Sequence, residues 1–201
     1  MSIVKFKVEF LSDELPQDER IKQLSDWCFR FDESGLTPRL NGTGRSLGNL
    51  SFRLEPDKPG FVITGSTLDS KGKLVHDDFV KVVETCPGKM LVRAEGKRDP
   101  SSESMMHYEI YKCRKDAGAI FHGHDKEITA NAVLLGMPET GKEELPGTAE
   151  LMREVMKILG KNNFIIMKNH GFLSLGKSMD EAGNLALHIK EKLTVSRMAS
   201  K

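Results

Sequence analysis

At 201 residues the chain is long enough for one domain with a real core and cramped for two. Its 38% apolar and 29% charged residues are the balance of a folded globular protein, which excludes a disordered chain. A net charge of +1 supplies no field to draw nucleic acid or a membrane surface, and 6% aromatic residues make a poor stacking platform. Any anionic ligand must therefore be held by a local site.

The first ten residues place a charge at every second position from Lys5, which reads as an edge strand rather than the apolar block of a signal peptide. No apolar stretch approaches the roughly 20 residues that span a membrane. Cys28, Cys86 and Cys113 are odd in number, far apart and without a CxxC pair, so they predict three reduced thiols. These features together predict cytoplasmic residence.

Residues 16–34 carry Ile21, Leu24, Cys28 and Phe31 at helical spacing, with Pro16 in the first turn and Gly35 as the stop. Residues 38–50 are rich in Gly, Asn, Ser and Thr and predict a loop, followed by short strands at 49–54 and 61–64. Further strands are expected at 79–84 and 90–94, and a polar turn at 96–100. A helix then runs to about Lys115, with Ser101 or Ser102 as its N-cap. The apolar run 117–122 predicts a buried strand, 126–135 a short helix, and 148–159 an amphipathic helix closed by Gly160. Residues 164–167 read as a central strand, and 179–198 as the closing helix, capped by Ser178. Strands mixed irregularly with helices predict an α/β layered domain covering residues 1–201, a sheet with helices on both faces.

His122-Gly123-His124 ends a buried run. In an extended segment residues i and i+2 point to one side, so both imidazoles can reach one ion. His170 also follows a buried run. If the two strands end at the same edge of the sheet, His170 joins the pair. Three neutral imidazoles leave a tetrahedral zinc ion an open position, which is the catalytic pattern. Manganese, iron or cobalt could occupy the same ligands. Glu103 sits at a helix start, where a carboxylate is at home beside the macrodipole. The hydroxyls of Ser101 and Ser102, with the free N–H groups of that helix end, form a cradle suited to phosphate, to which the Gly48-Asn49 and Thr64-Gly65 loops could add donors. His76, His107 and His188 are expected to be structural or solvated, with His107 one turn after Glu103.

Gly48-Asn49-Leu50-Ser51, Ile63-Thr64-Gly65, Pro100-Ser101-Ser102-Glu103, Phe121-His122-Gly123-His124 and Asn169-His170-Gly171 together resemble the class II aldolase/adducin family. The resemblance runs from about residue 18 to 195 and includes the zinc-dependent fuculose- and rhamnulose-1-phosphate aldolases and the ribulose-5-phosphate 4-epimerases. It implies a three-layer α/β/α domain with a central, largely antiparallel sheet. It also implies one divalent ion per chain, most often zinc, held by His122, His124 and His170, with Glu103 as the catalytic acid/base. Asn49, Thr64, Ser101 and Ser102 would hold the phosphate of a sugar substrate. The implied reaction is aldol cleavage of a small phosphorylated ketose or sugar acid through a metal-stabilised enediolate. Epimerisation, dehydration and decarboxylation are family alternatives, as is an adducin-like interaction domain without catalysis. A homo-oligomer, commonly a four-fold tetramer with sites at subunit interfaces, is implied too. The sequence departs from the aldolase pattern in two places. Only 45 residues separate His124 from His170, and no tyrosine follows Tyr111 to serve as the second acid; after Thr64 the loop reads Gly-Ser-Thr.

Overall fold

The computed structural model describes residues 5–199. Its strands are β1 (Lys7–Ser12), β2 (Asn49–Arg53), β3 (Phe61–Thr64), β4 (Phe79–Cys86), β5 (Leu91–Glu95), β6 (Ala119–Gly123), β7 (Phe164–Met167) and β8 (Gly171–Gly176). The helices are α1 (Arg20–Glu33), α2 (Ser104–Cys113), α3 (Lys126–Ala130), α4 (Ala132–Leu135), α5 (Ala149–Leu159) and α6 (Met179–Ala199). All eight strands join one sheet in the order β1-β5-β4-β3-β2-β6-β8-β7. Only β1 with β5 is parallel; every other pair is antiparallel.

The strands read as continuous apolar runs because both faces of the sheet are covered. Successive residues feed opposite layers. Phe121, Phe164, Ile166 and Phe172 pack against α1, α3 and α6, while Ile120, Ile165, Met167 and Leu173 pack against α2 and α5. The result is the expected α/β/α sandwich. Each large apolar side chain so buried contributes about 1.5–3 kcal/mol. Trp27 anchors the first layer, packing edge-on against Phe31 and tilted on Phe121, while its indole N–H donates to Asp180 Oδ1 at 2.8 Å.

Several boundaries differ from expectation for local reasons. α1 begins at Arg20, not at Pro16, because the Asp18 carboxylate accepts the Arg20 N–H at 2.9 Å and starts the turn there. It ends as expected at Gly35, where Leu36 N–H donates to Phe31 O (2.8 Å) and Gly35 N–H to Asp32 O (3.0 Å), a Schellman pair. α2 begins at Ser104 with Glu103 itself at the N-cap, so neither Ser101 nor Ser102 holds that position. The expected helix 126–135 is two short helices broken at Asn131, whose amide donates to Glu127 O (2.8 Å). β7 is an edge strand rather than a central one. The strand that separates it from β6 is β8, which the sequence reading did not identify. Residues 1–4 of the expected first strand lie outside the described residues. No helix among the described residues is long and apolar enough to cross a membrane.

Candidate metal centre

Strand register builds the site. β2 and β6 pair so that Asn49 lies opposite His122, and β6 pairs with β8 so that Gly123 lies opposite Phe172. The end of β6 thus meets the start of β8, and the residue just before β8 is His170. The inserted strand, not direct pairing of β6 with β7, brings the third histidine to the first two. Asn169 takes a left-handed conformation (φ 54°), which asparagine tolerates, and its amide donates to Glu143 Oε2 at 2.8 Å. Two glycines let the backbones close up. Gly48 has φ 75°, and a Cβ there would lie 2.5 Å from His122 O. A Cβ on Gly123 would lie 2.5 Å from Phe172 Cζ.

The imidazoles of His122, His124 and His170 converge, with ring centroids 4.6–5.1 Å apart and one ligand atom from each within 4.8 Å of the others. His122 is buried, and its Nδ1 lies 2.8 Å from Phe172 O. A carbonyl only accepts, so Nδ1 carries the proton and Nε2 presents a lone pair. Such a backbone partner is the usual device that fixes a ligating histidine. That lone pair faces His170 Nε2 at 3.2 Å and Glu103 Oε2 at 3.0 Å. Burial, with the neighbouring imidazoles, lowers His122 to about 4 and His124 to about 2 against the opposing pull of Glu103. Both are therefore neutral near pH 7, the state a metal ligand needs. His122 Nε2 and the Glu103 carboxylate, two acceptors 3.0 Å apart, call for a positive charge between them. The donor set, neutral imidazole nitrogens beside a carboxylate, could hold a divalent ion.

Glu103 is 4% exposed and touches two of the histidines, with His170 Nε2 3.1 Å from its Oε1. Asn49 Nδ2 donates to its Oε2 at 2.9 Å. Burial alone would raise the carboxyl; the electrostatic influence of the surrounding imidazoles, His122 first, with a hydrogen bond from His170, outweighs it and holds it well below the ordinary carboxylate range. Glu103 therefore stands as an ionised proton acceptor at the edge of the triad.

A cavity of about 410 Å³ opens on this centre, within the size range of small-molecule sites. Asn49, Ser101, Ser102 and Glu103 border it together with the three histidines. Thr64 does not. It is fully buried, and its hydroxyl accepts the Leu50 N–H at 3.4 Å. Gly65, Ser66 and Thr67 line the wall instead, brought to Ser101 by the bridge between Gly65 and Pro100. Thr67 holds φ 59°, a costly conformation for a β-branched residue. His107 is buried and does not line the cavity; its Nδ1 lies 2.8 Å from Ser51 Oγ, which also meets Tyr111 OH at 2.9 Å. Burial lowers it to about 3. His76 Nε2 bonds Pro16 O at 2.7 Å, away from the centre. Lys71, on the cavity wall, was missed by sequence reasoning because a lysine in a polar loop reads as solvated.

The family model described as class II aldolase and adducin N-terminal domain matches residues 23–195. The chain is 30% identical to the 5-methylthioribulose-1-phosphate/5-deoxyribulose-1-phosphate aldolase of Rhodospirillum rubrum, over 73% of this chain and 68% of that one. It is 32% identical to the methylthioribulose-1-phosphate dehydratase of Gluconacetobacter diazotrophicus, over 62% of this chain and 52% of that one, so it spans about half the length of that relative. Among solved structures it superposes on an L-fuculose 1-phosphate aldolase with a TM-score of 0.73 at 24% identity, covering 92% of this chain and 88% of the other. That likeness is one of fold.

Proposed function

Since this chain belongs to the class II aldolase and adducin family, we propose that it is a divalent-metal-dependent lyase that cleaves a small phosphorylated ketose in an aldol sense. The observation that carries this reading is the convergence of three imidazole nitrogens and the Glu103 carboxylate on one point at the floor of a substrate-sized cavity. In this reading His122, His124 and His170 are the ligands, and zinc is the ion. When bound, it supplies Lewis-acid polarisation of a substrate oxygen. Glu103, ionised and fixed by Asn49, takes a proton from the substrate and returns it. Ser101, Ser102 and Asn49 hold the phosphate, with Gly65 and Ser66 beside them and Thr64 as a buried support. The sugar phosphates in the names of the aldolase and dehydratase relatives fit this chemistry.

A second reading, loss of water from the same kind of substrate, is favoured by the dehydratase relative and by the lack of any tyrosine after Tyr111. It keeps the same ligands and the same base. We extend the proposal to a cytoplasmic homo-oligomer, a tetramer by resemblance, in which exposed Val133, Leu134 and Leu145 would be covered. The deciding experiment is incubation of zinc-loaded protein with phosphorylated ketoses, 5-methylthioribulose 1-phosphate among them, with products identified by NMR. Cleavage yields an aldehyde and a shorter ketone phosphate, whereas dehydration yields a diketone with the carbon chain intact. Turnover unaffected by a chelator would sink both readings. Light scattering on the purified protein tests the assembly.

A further inference from the structure

The cavity carries a cation that the histidine centre does not use. Lys71 is 2% exposed yet borders the same cavity as the three histidines, with Gly48, Ser66 and Ser102. Its ammonium donates to Ser46 Oγ at 3.1 Å and to Leu47 O at 3.0 Å. Both acceptors are neutral, and an ammonium has three N–H groups. Asp32 adds negative charge through space, but its Oδ2 accepts a hydrogen bond from Ser70 Oγ at 3.2 Å. Burial lowers the ammonium to about 8, with Cys28 and Asp32 in opposition. A lysine stripped of water with only two neutral acceptors is an expensive arrangement; the buried Arg53 also lacks a carboxylate, but its guanidinium donates to four backbone carbonyls.

The histidine centre does not account for it. The charge of Lys71 reaches both His122 and His124. A cation placed there opposes a second cation among the histidines unless an anion sits between the two. Arg45 also borders the cavity, as do Glu143, whose carboxylate accepts from Asn169, and Glu144.

We propose that Lys71 is a substrate-binding residue: its remaining N–H donates to an oxygen of the substrate's phosphate, seated in the cavity between Lys71 and the hydroxyls of Ser66 and Ser102. This rests on the reading that the substrate is a phosphorylated sugar, and it adds a buried charge to a cradle otherwise made of hydroxyls, amides and backbone N–H groups. Lys71 then selects phosphate over a neutral hydroxyl, because only an anion restores the solvation the ammonium has lost. Through Ser46 Oγ and Leu47 O it also carries the segment leading to Asn49, so phosphate occupancy and the orientation of Asn49 on Glu103 are joined.

The test compares wild type, Lys71→Met, Lys71→Gln and Lys71→Arg as zinc-loaded full chains. Inorganic phosphate is titrated by calorimetry, and KM and kcat are measured on whichever ketose phosphate the wild type turns over. A charge-assisted hydrogen bond of this kind predicts about 10- to 100-fold weaker phosphate binding in Lys71→Met and Lys71→Gln. Most of the kinetic change should fall on KM, zinc stoichiometry should hold, and Lys71→Arg should recover most of the affinity. Equal loss in all three variants would mean that Lys71 only pins the loop, which overturns the proposal, as would wild-type affinity in folded, zinc-loaded Lys71→Met. Should the neutral variants fail to fold, the wild-type protein decides by NMR. The Lys71 15Nζ resonance shifts on adding inorganic phosphate if the proposal holds and stays fixed if it is wrong. Lys71-dependent phosphate binding without turnover of any ketose phosphate would leave this site standing and remove the lyase reading. Turnover with a KM indifferent to Lys71 would do the reverse.

Discussion

The two walls of the cavity are short of opposite things. On the histidine wall, the His122 Nε2 lone pair faces the Glu103 carboxylate at 3.0 Å, with His170 Nε2 at 3.1–3.2 Å from both, a cluster short of positive charge. On the lysine wall, a buried ammonium leans on a hydroxyl and a carbonyl and is short of negative charge. A protein interior tolerates such deficits where something else completes them. Two complementary deficits across one cavity describe a ligand pair, a cation and an anion, better than either wall does alone. Asn49 joins the walls, since its amide holds Glu103 while its own Oδ1 has no partner among the described residues.

Emptying the histidine wall is the harshest way to break this contrast. His122→Ala or His170→Ala should take bound zinc from about one ion per chain to near none by mass spectrometry of the metal, and abolish turnover, with the circular dichroism of the fold preserved. Zinc retained at full stoichiometry by both variants would remove the triad from the argument. Glu103→Gln is milder, because it keeps shape and ligands but loses the proton acceptor. Exchange of the substrate's carbon-bound proton into deuterated solvent should fall by about 10²–10⁴-fold while zinc stays bound. Normal exchange in that variant would hand the base role to another group. Asn49→Ala sharpens the comparison by cutting the link between walls. Losing a hydrogen bond to an ionised carboxylate predicts a drop of about tenfold or more in kcat, with little change in zinc content.

The smallest effect is a pH signature. Lys71 is lowered to about 8 by burial, against Cys28 and Asp32, so in the free protein its charge is present below that pH and fades above it. Arginine stays charged throughout. The phosphate affinity of wild type relative to Lys71→Arg should therefore fall several-fold as pH rises from 7 to 9.5. The ratio cancels the ionisation of phosphate itself, and a flat ratio would argue that no lysine charge is involved.

Much of the scaffold was legible because burial on both faces leaves an unmistakable trace. The runs at Phe61–Thr64 and Phe164–Met167, and the spacing of Ile21, Leu24, Cys28 and Phe31, are the sheet and the first helix. The place of β7 was not legible, since an edge strand covered by helices on both faces carries the same apolar run as a central one. β8 was hidden by its own composition. Glycine begins and ends it, and Ser174 interrupts it, although the serine is satisfied by donating to Ala182 O at 2.7 Å. At the site, the three histidines stood out at the ends of buried runs, whereas Glu103, ordinary at a helix start, was singled out by the family resemblance. Their meeting depended on β8 and could only be assumed. Thr64 was expected at the cavity because its neighbours are there, but strand alternation turns its hydroxyl to Leu50. Lys71 carried no signal, because nothing local distinguishes a buried lysine in a polar loop from a solvated one.

The insertion of β8 also bears on how the molecule melts. His122 and His170 lie 48 residues apart and come together only once β8 has paired with β6. The unfolded chain therefore keeps only the local His122/His124 pair, with His170 far along the chain, and an ion that binds the assembled trio far more tightly than that pair shifts the equilibrium toward the native state. At a free concentration 100 times its dissociation constant that shift is about 2.7 kcal/mol, a large share of a domain's usual margin. Thermal denaturation should thus move upward with each increment of zinc, making the unfolding midpoint a meter of metal supply.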